Sequence, residues 1–164
     1  MALERHHGSR RRGATDIDHP VAVAEVLFEY GISDEEVLAA AFLHDVIEDT
    51  DTDPEEIGAS FGPRVRSLVE EMTEDTAIES YAERKAEHRN RVARDSCVSA
   101  IYAADKLASS RDPQRRPDGS SPERVDHYLM TLELLCETYP DLPFLPDLRA
   151  ELELLRDQAQ GAED

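Results

Sequence analysis

Residues 37–50 set the terms for any fold this chain can adopt. Val37, Leu38, Ala40, Ala41, Phe42 and Leu43 are apolar nearly all round a helix, which marks a central helix rather than a surface one. That run leads directly into His44-Asp45-Val46-Ile47-Glu48-Asp49-Thr50. A histidine and three acids in such surroundings need a counter-charge, and a divalent cation supplies one.

The flanking sequence is helical too. Asp18-His19-Pro20 opens a helix, with Asp18 or His19 at the cap and Pro20 in the first turn. Its band of Val21, Val23, Ala24, Val26, Leu27 and Phe28 runs to Tyr30 and stops at Gly31. Ser33 and Glu36 form a capping box for the central helix, which is predicted to end near Thr50. Asp53, Pro54 and Glu56 start a short helix through Ile57, broken at Phe61-Gly62-Pro63. Val65, Leu68, Val69 and Met72 mark another, and residues 73–80 are a polar joint. Residues 81–109 read as one long helix or two short ones, with Val92, Val98, Ile101, Tyr102, Ala104 and Leu107 on the buried face and Asp105 among them. A loop follows to Pro122, then a helix over 123–138, a proline-rich break, and a last helix over 148–155. No strand pattern competes. The expectation is a single all-α domain over 1–164, a helical bundle around a metal site. Residues 1–16 form a basic arm or loop and residues 158–164 a frayed tail.

Charge narrows the partners. The chain carries 18 basic and 37 acidic side chains, a formal charge of −19. That balance opposes binding to nucleic acid or to an anionic membrane, but a small anionic substrate needs only local positive charge. Adaptation to a salty cytoplasm accounts for the acidity equally well. Aromatic residues make up only 5%, so Leu, Val, Ile and Ala must build the core. Cys97 and Cys136 are expected as small core residues in a reducing compartment. With no run of 18 apolar residues and no apolar signal core, the expected location is cytoplasmic.

Spacing develops the metal reading. His44 and Asp45 lie about 100° apart on a helix and can bend toward one ion. Glu48 and Asp49 follow one turn later and can bind water beyond the ligands. Further ligands must come from a distance. His19 and Asp105 are the candidates, although His19 also suits a helix cap and Asp105 also suits a bond to Lys106 or to a backbone amide. Two imidazoles and two carboxylates suit Mn²⁺, with Fe²⁺ or Zn²⁺ as alternatives.

The ordered set of Ile17-Asp18-His19-Pro20, Leu43 through Thr50, Phe61-Gly62 with Val65, Thr73, and Ala104-Asp105-Lys106-Leu107 resembles the HD-domain metal-dependent phosphohydrolases. Within them it is most similar to the hydrolase domains of the RelA/SpoT group and to the small stand-alone alarmone hydrolases. The resemblance implies that His19, His44, Asp45 and Asp105 hold Mn²⁺ and that Glu48 and Asp49 position and activate the attacking water. It implies hydrolysis of the 3′-pyrophosphate of guanosine tetra- or pentaphosphate, giving pyrophosphate and GDP or GTP. Arg10, Arg11 and Arg12 then form a phosphate clamp, with the family's arginine-lysine pair falling on Arg10-Arg11 or Arg11-Arg12. Arg124 and Tyr128 match an arginine and a tyrosine, four residues apart, that line the nucleotide pocket of the small hydrolases. Arg84 and Lys85 resemble a further basic pair.

The chain also departs from the family pattern. Asp16 stands where relatives carry a tyrosine, Ser9 where they carry a glutamine, and Ser109 where they carry an asparagine. Relatives also have a further helical turn before the position of His6. The side of the core left by that turn is either open or covered by a second subunit, which makes a homodimer an expectation. These changes spare the metal and water machinery and touch the nucleotide end. Another phosphorylated nucleotide such as NADPH is therefore an alternative substrate, and a non-enzymatic helical regulatory protein is a third reading.

Overall fold

The structure is a computed structural model that describes residues 17–112 and 122–161, the side chains of 160 and 161 aside. Among the described residues there are nine helices and no strand. They are α1 (Asp18–Glu29), α2 (Glu35–Leu43), α3 (Val46–Asp49), α4 (Pro54–Phe61), α5 (Pro63–Met72), α6 (Tyr81–Val92), α7 (Ser96–Arg111), α8 (Pro122–Thr138) and α9 (Leu145–Gly161). The all-α expectation agrees with this architecture.

The middle of the molecule is α7, not the His44 helix. It packs against α1, α2, α5, α6, α8 and α9. Its buried side includes Ala100, Ala103, Ala104 and Ala108 along with Ile101 and Leu107, and the small residues let neighbouring helices approach closely. Around them lie Val23 and Leu27 of α1, Ala40 and Leu43 of α2, Val65 and Val69 of α5, Leu132 and Leu135 of α8, and Leu148 and Leu152 of α9. Asp105 therefore stands on the innermost helix of the bundle.

The predicted run to Thr50 is interrupted. α2 stops at Leu43, His44-Asp45 form a turn, and α3 restarts for four residues. His44 Nδ1 donates to the Ala41 carbonyl at 2.7 Å. A side chain that occupies a helical carbonyl competes with the backbone ladder at that point. The cap of α2 is Asp34, which accepts from the Glu36 and Val37 amides, and not the predicted Ser33–Glu36 box. An aspartate one residue nearer the helix satisfies the same orphan amides.

Other boundaries follow local chemistry. Asp53 caps α4, as read from the sequence. Gly62 takes φ 94° between α4 and α5, a value that favours glycine. Asp95 accepts from the Cys97 and Val98 amides and divides residues 81–111 into α6 and α7. α9 begins at Leu145 and continues to Gly161, beyond both predicted ends. Pro146 falls in its first turn, where no helical amide bond is lost. Residues 158–161 are helical, and the rest of the expected tail, 162–164, lies outside the described residues. Cys97 and Cys136 are only partly buried, each with its sulfur near an arginine, Arg64 at 3.7 Å and Arg149 at 3.6 Å. No described helix is long and apolar enough to cross a membrane.

Candidate metal centre

Three elements bring four distant residues together. His19 comes from the first turn of α1, His44 and Asp45 from the turn between α2 and α3, and Asp105 from the middle of α7. His19 Nε2 lies 2.8 Å from Asp105 Oδ1. His44 Nε2 lies 3.8 Å from the same oxygen and 3.2 Å from Asp45 Oδ2. The two imidazole centroids are 5.3 Å apart. One donor atom each from His19, His44 and Asp45 falls within 4.8 Å of the others.

The electrostatics of this cluster call for a cation. His19, His44 and Asp105 are buried, and Asp45 is partly so. Because His44 Nδ1 donates to Ala41, Nε2 is left facing the two carboxylates. It is buried and has no hydrogen-bond partner among the described residues. Burial pushes the His44 pKa down, yet Asp45 and Asp105 outweigh it and raise it to about 9. Burial also opposes charge on Asp105, but Lys106 and the two histidines hold it well below the usual carboxylate range. Lys106 Nζ donates to Asp105 Oδ2 at 2.6 Å and Ser109 Oγ donates to Oδ1 at 3.4 Å. Two oriented imidazoles, two anionic carboxylates and an orphaned buried nitrogen fit a divalent ion with mixed N/O ligands.

Beside Asp45 opens a cleft of about 610 Å³, whose lining includes Glu48, Asp49, Thr73, Glu74 and Arg84. Glu48 Oε1 accepts the Glu74 backbone N–H at 2.8 Å. Burial, with Asp45 and Glu74 nearby, raises the Glu48 pKa. On the other side of Asp105, Lys106 Nζ lies 4.8 Å from the Tyr102 ring centre and 5.0 Å from that of Tyr128. Arg124 Nε donates to the Tyr128 hydroxyl at 2.8 Å, and its guanidinium lies 5.7 Å from that ring centre. Arg124 and Tyr128 are therefore linked to the cluster through Lys106. Arg10, Arg11 and Arg12, like Ser9 and Asp16, lie outside the described residues. Sequence reasoning passed over Glu74, which pairs with both Arg84 and Lys85. Its signal is faint, since it is one acid among many in a polar joint.

A family model described as HD domain matches residues 1–126. The human protein called guanosine-3′,5′-bis(diphosphate) 3′-pyrophosphohydrolase MESH1 is 39% identical over 133 residues, which cover 78% of this chain and 74% of that protein. The chain belongs to the HD domain family. Its HD-domain relatives extend to flies and bacteria. The Drosophila melanogaster MESH1 is 38% identical over 135 residues. A probable guanosine-3′,5′-bis(diphosphate) 3′-pyrophosphohydrolase of Synechocystis is 41% identical over 131 residues, which make up 17% of that longer protein. A solved structure described as a metazoan ortholog of SpoT that hydrolyzes ppGpp superposes with a TM-score of 0.69 at 34% identity, covering 99% of this chain and 90% of that one. The HD family implies a divalent metal, and the His19–His44–Asp45 group is a site where it can be held.

Proposed function

We propose that this chain is a Mn²⁺-dependent hydrolase that removes the 3′-pyrophosphate of guanosine tetra- or pentaphosphate. The observation that carries the reading is the His19–His44–Asp45–Asp105 cluster, in which buried His44 Nε2 makes no hydrogen bond and faces both carboxylates, beside the Glu48–Asp49 cleft. The named activity of the MESH1 relatives supports the substrate.

His19, His44, Asp45 and Asp105 would hold the ion, which when bound acidifies water and draws charge from a phosphoryl oxygen. Glu48 accepts the proton of the attacking water, and its raised pKa brings it closer to the working pH of a general base. Asp49 orients that water or Glu48. The new bond forms between water oxygen and the phosphorus on the ribose 3′ oxygen. The P–O3′ bond breaks and a proton passes to the 3′ oxygen. Arg124 and Tyr128 bind the nucleotide, and Arg10, Arg11 and Arg12 pair with its phosphates. Ser109, bonded to Asp105 rather than reaching outward, gives a shorter hydrogen-bonding group than an amide at that end of the pocket. The departures from the family pattern at Ser9, Asp16 and Ser109 support a second reading, hydrolysis of another phosphorylated nucleotide such as NADPH. Under either reading the protein works in the cytoplasm, without nucleic acid, and as a homodimer.

The test is a turnover screen of purified protein with Mn²⁺, offering guanosine tetraphosphate, NADPH, cyclic nucleotides and nucleoside triphosphates. Phosphate and pyrophosphate are measured separately. Pyrophosphate from the first substrate alone supports the main reading, and phosphate from NADPH alone supports the second. Absence of product from every substrate supports a non-enzymatic regulatory protein.

A further inference from the structure

Glu48 stands on α3, a helix of four residues. So short a helix holds a side chain poorly by itself. Its carboxylate is instead held by the Glu74 N–H, 26 residues away in the chain. That amide lies in the 73–80 joint, which has no helix of its own. Cations of α6 secure the joint on both sides of the amide. Arg91 Nη2 donates to the Thr73 carbonyl at 2.8 Å. Arg84 Nε donates to the Glu74 carboxylate at 3.1 Å, Lys85 Nζ donates to its other oxygen, and Arg84 Nη1 donates to the Ile78 carbonyl at 2.8 Å. The Glu74, Arg84 and Lys85 side chains are 20%, 23% and 21% exposed, so solvent weakens this cluster less than it would a surface pair.

We propose that Glu74 is a positioning residue: gripped by Arg84 and Lys85, it fixes the backbone N–H that aims the Glu48 carboxylate into the cleft. The inference rests on the hydrolytic reading above for its kinetic consequence, though not for its geometry. Arg84 also lines the cleft, so a direct role in binding substrate is the competing account. The two differ in what they change. A substrate contact acts on KM, whereas an aimed base acts on kcat.

The experiment compares wild type, Glu74→Gln, the Arg84→Met/Lys85→Met pair, the triple variant and Glu48→Gln. It measures Mn²⁺-supported pyrophosphate release from guanosine tetraphosphate. It also measures hydrogen exchange at the Glu74 amide by NMR, which needs no turnover. Glu74→Gln is nearly isosteric, and its melting temperature and Mn²⁺ affinity should match wild type. Glu74→Gln and the Arg84/Lys85 pair should each lower kcat roughly tenfold or more, with the triple variant little worse than either, as coupled residues behave. KM should stay within about twofold. Exchange at the Glu74 amide should quicken about tenfold in these variants and in Glu48→Gln. Full kcat with unchanged amide protection in Glu74→Gln overturns the inference. A raised KM at wild-type kcat in the Arg84/Lys85 pair also overturns it, in favour of direct substrate contact. If wild type releases no pyrophosphate while amide protection responds as stated, the hydrolytic reading fails and the positioning geometry stands.

Discussion

His44 carries a heavy electrostatic demand for a single buried residue. Its pKa, raised to about 9 against burial by Asp45 and Asp105, means that a proton takes the place of a cation when no ion is bound. A folded pKa above the unfolded one stabilises the metal-free protein fully below about pH 6.5 and loses that stabilisation as pH rises through about 9. The amount is on the order of 3 kcal/mol. Protons and metal compete for Nε2, so Mn²⁺ affinity should climb toward pH 9, by about tenfold per unit for this one group. Calorimetric titration checks this, and the melting-temperature gain on adding Mn²⁺ should grow over the same range. Glu48 makes a separate demand. Glu48→Gln should lower turnover roughly 10²- to 10⁴-fold while equilibrium dialysis finds Mn²⁺ bound as in wild type. Full turnover by that variant would remove Glu48 as the base. Much of this was legible in the residues themselves, because a His-Asp pair inside an apolar run must find a counter-charge in the fold. The Ala41 carbonyl that turns His44 toward the carboxylates was not legible, since it depends on where α2 ends.

At the scale of elements, each proposed ligand is placed by a helix end or by a helix buried in its neighbours. The Asp95 cap starts α7 two and a half turns before Asp105 and divides it from α6. Asp95→Ala should cost about 1 kcal/mol, read as a lower denaturation midpoint with an unchanged slope. His88 of α6 is buried against the Tyr102 ring of α7, 5.8 Å between centres. Burial pushes its pKa down to about 4. A histidine depressed in the fold costs nothing above about pH 6.5 and destabilises progressively as pH falls toward 4, by on the order of 3 kcal/mol. Replacing His88 with Phe should flatten the acid side of the stability–pH curve, measured by urea unfolding. Helix order was legible because Gly31, Gly62, Asp53 and the prolines punctuate the chain, whereas helix number was not, since the run to Thr50 breaks at His44-Asp45. Exact ends were less so. Ser33 and Asp34 are both good caps, and periodicity does not choose between them. Pro146 reads as a breaker until it is known to occupy a first turn.

For the whole molecule, the bundle puts its most buried helix, α7, against α1 and α2, and the three meet at His19, His44 and Asp105. The sequence marked residues 37–43 as central because they are apolar all round, whereas α7 carries more polar residues yet lies deeper. Helix–helix contacts decide that order, and one-dimensional periodicity does not contain them. The meeting of the four proposed ligands was legible only as a set of unpaired buried charges, together with the family resemblance. Which cation of α6 holds which acid was invisible, because Glu74 and Arg84 are ten residues apart in a stretch without pattern. The central claim is that these four side chains bind one ion. Anomalous diffraction from a crystal grown with Mn²⁺ tests it most directly. The account predicts a single strong peak about 2.0–2.3 Å from His19 Nε2, His44 Nε2 and one oxygen each of Asp45 and Asp105. A peak elsewhere, or none while His19 and Asp105 remain hydrogen-bonded to each other, would contradict it.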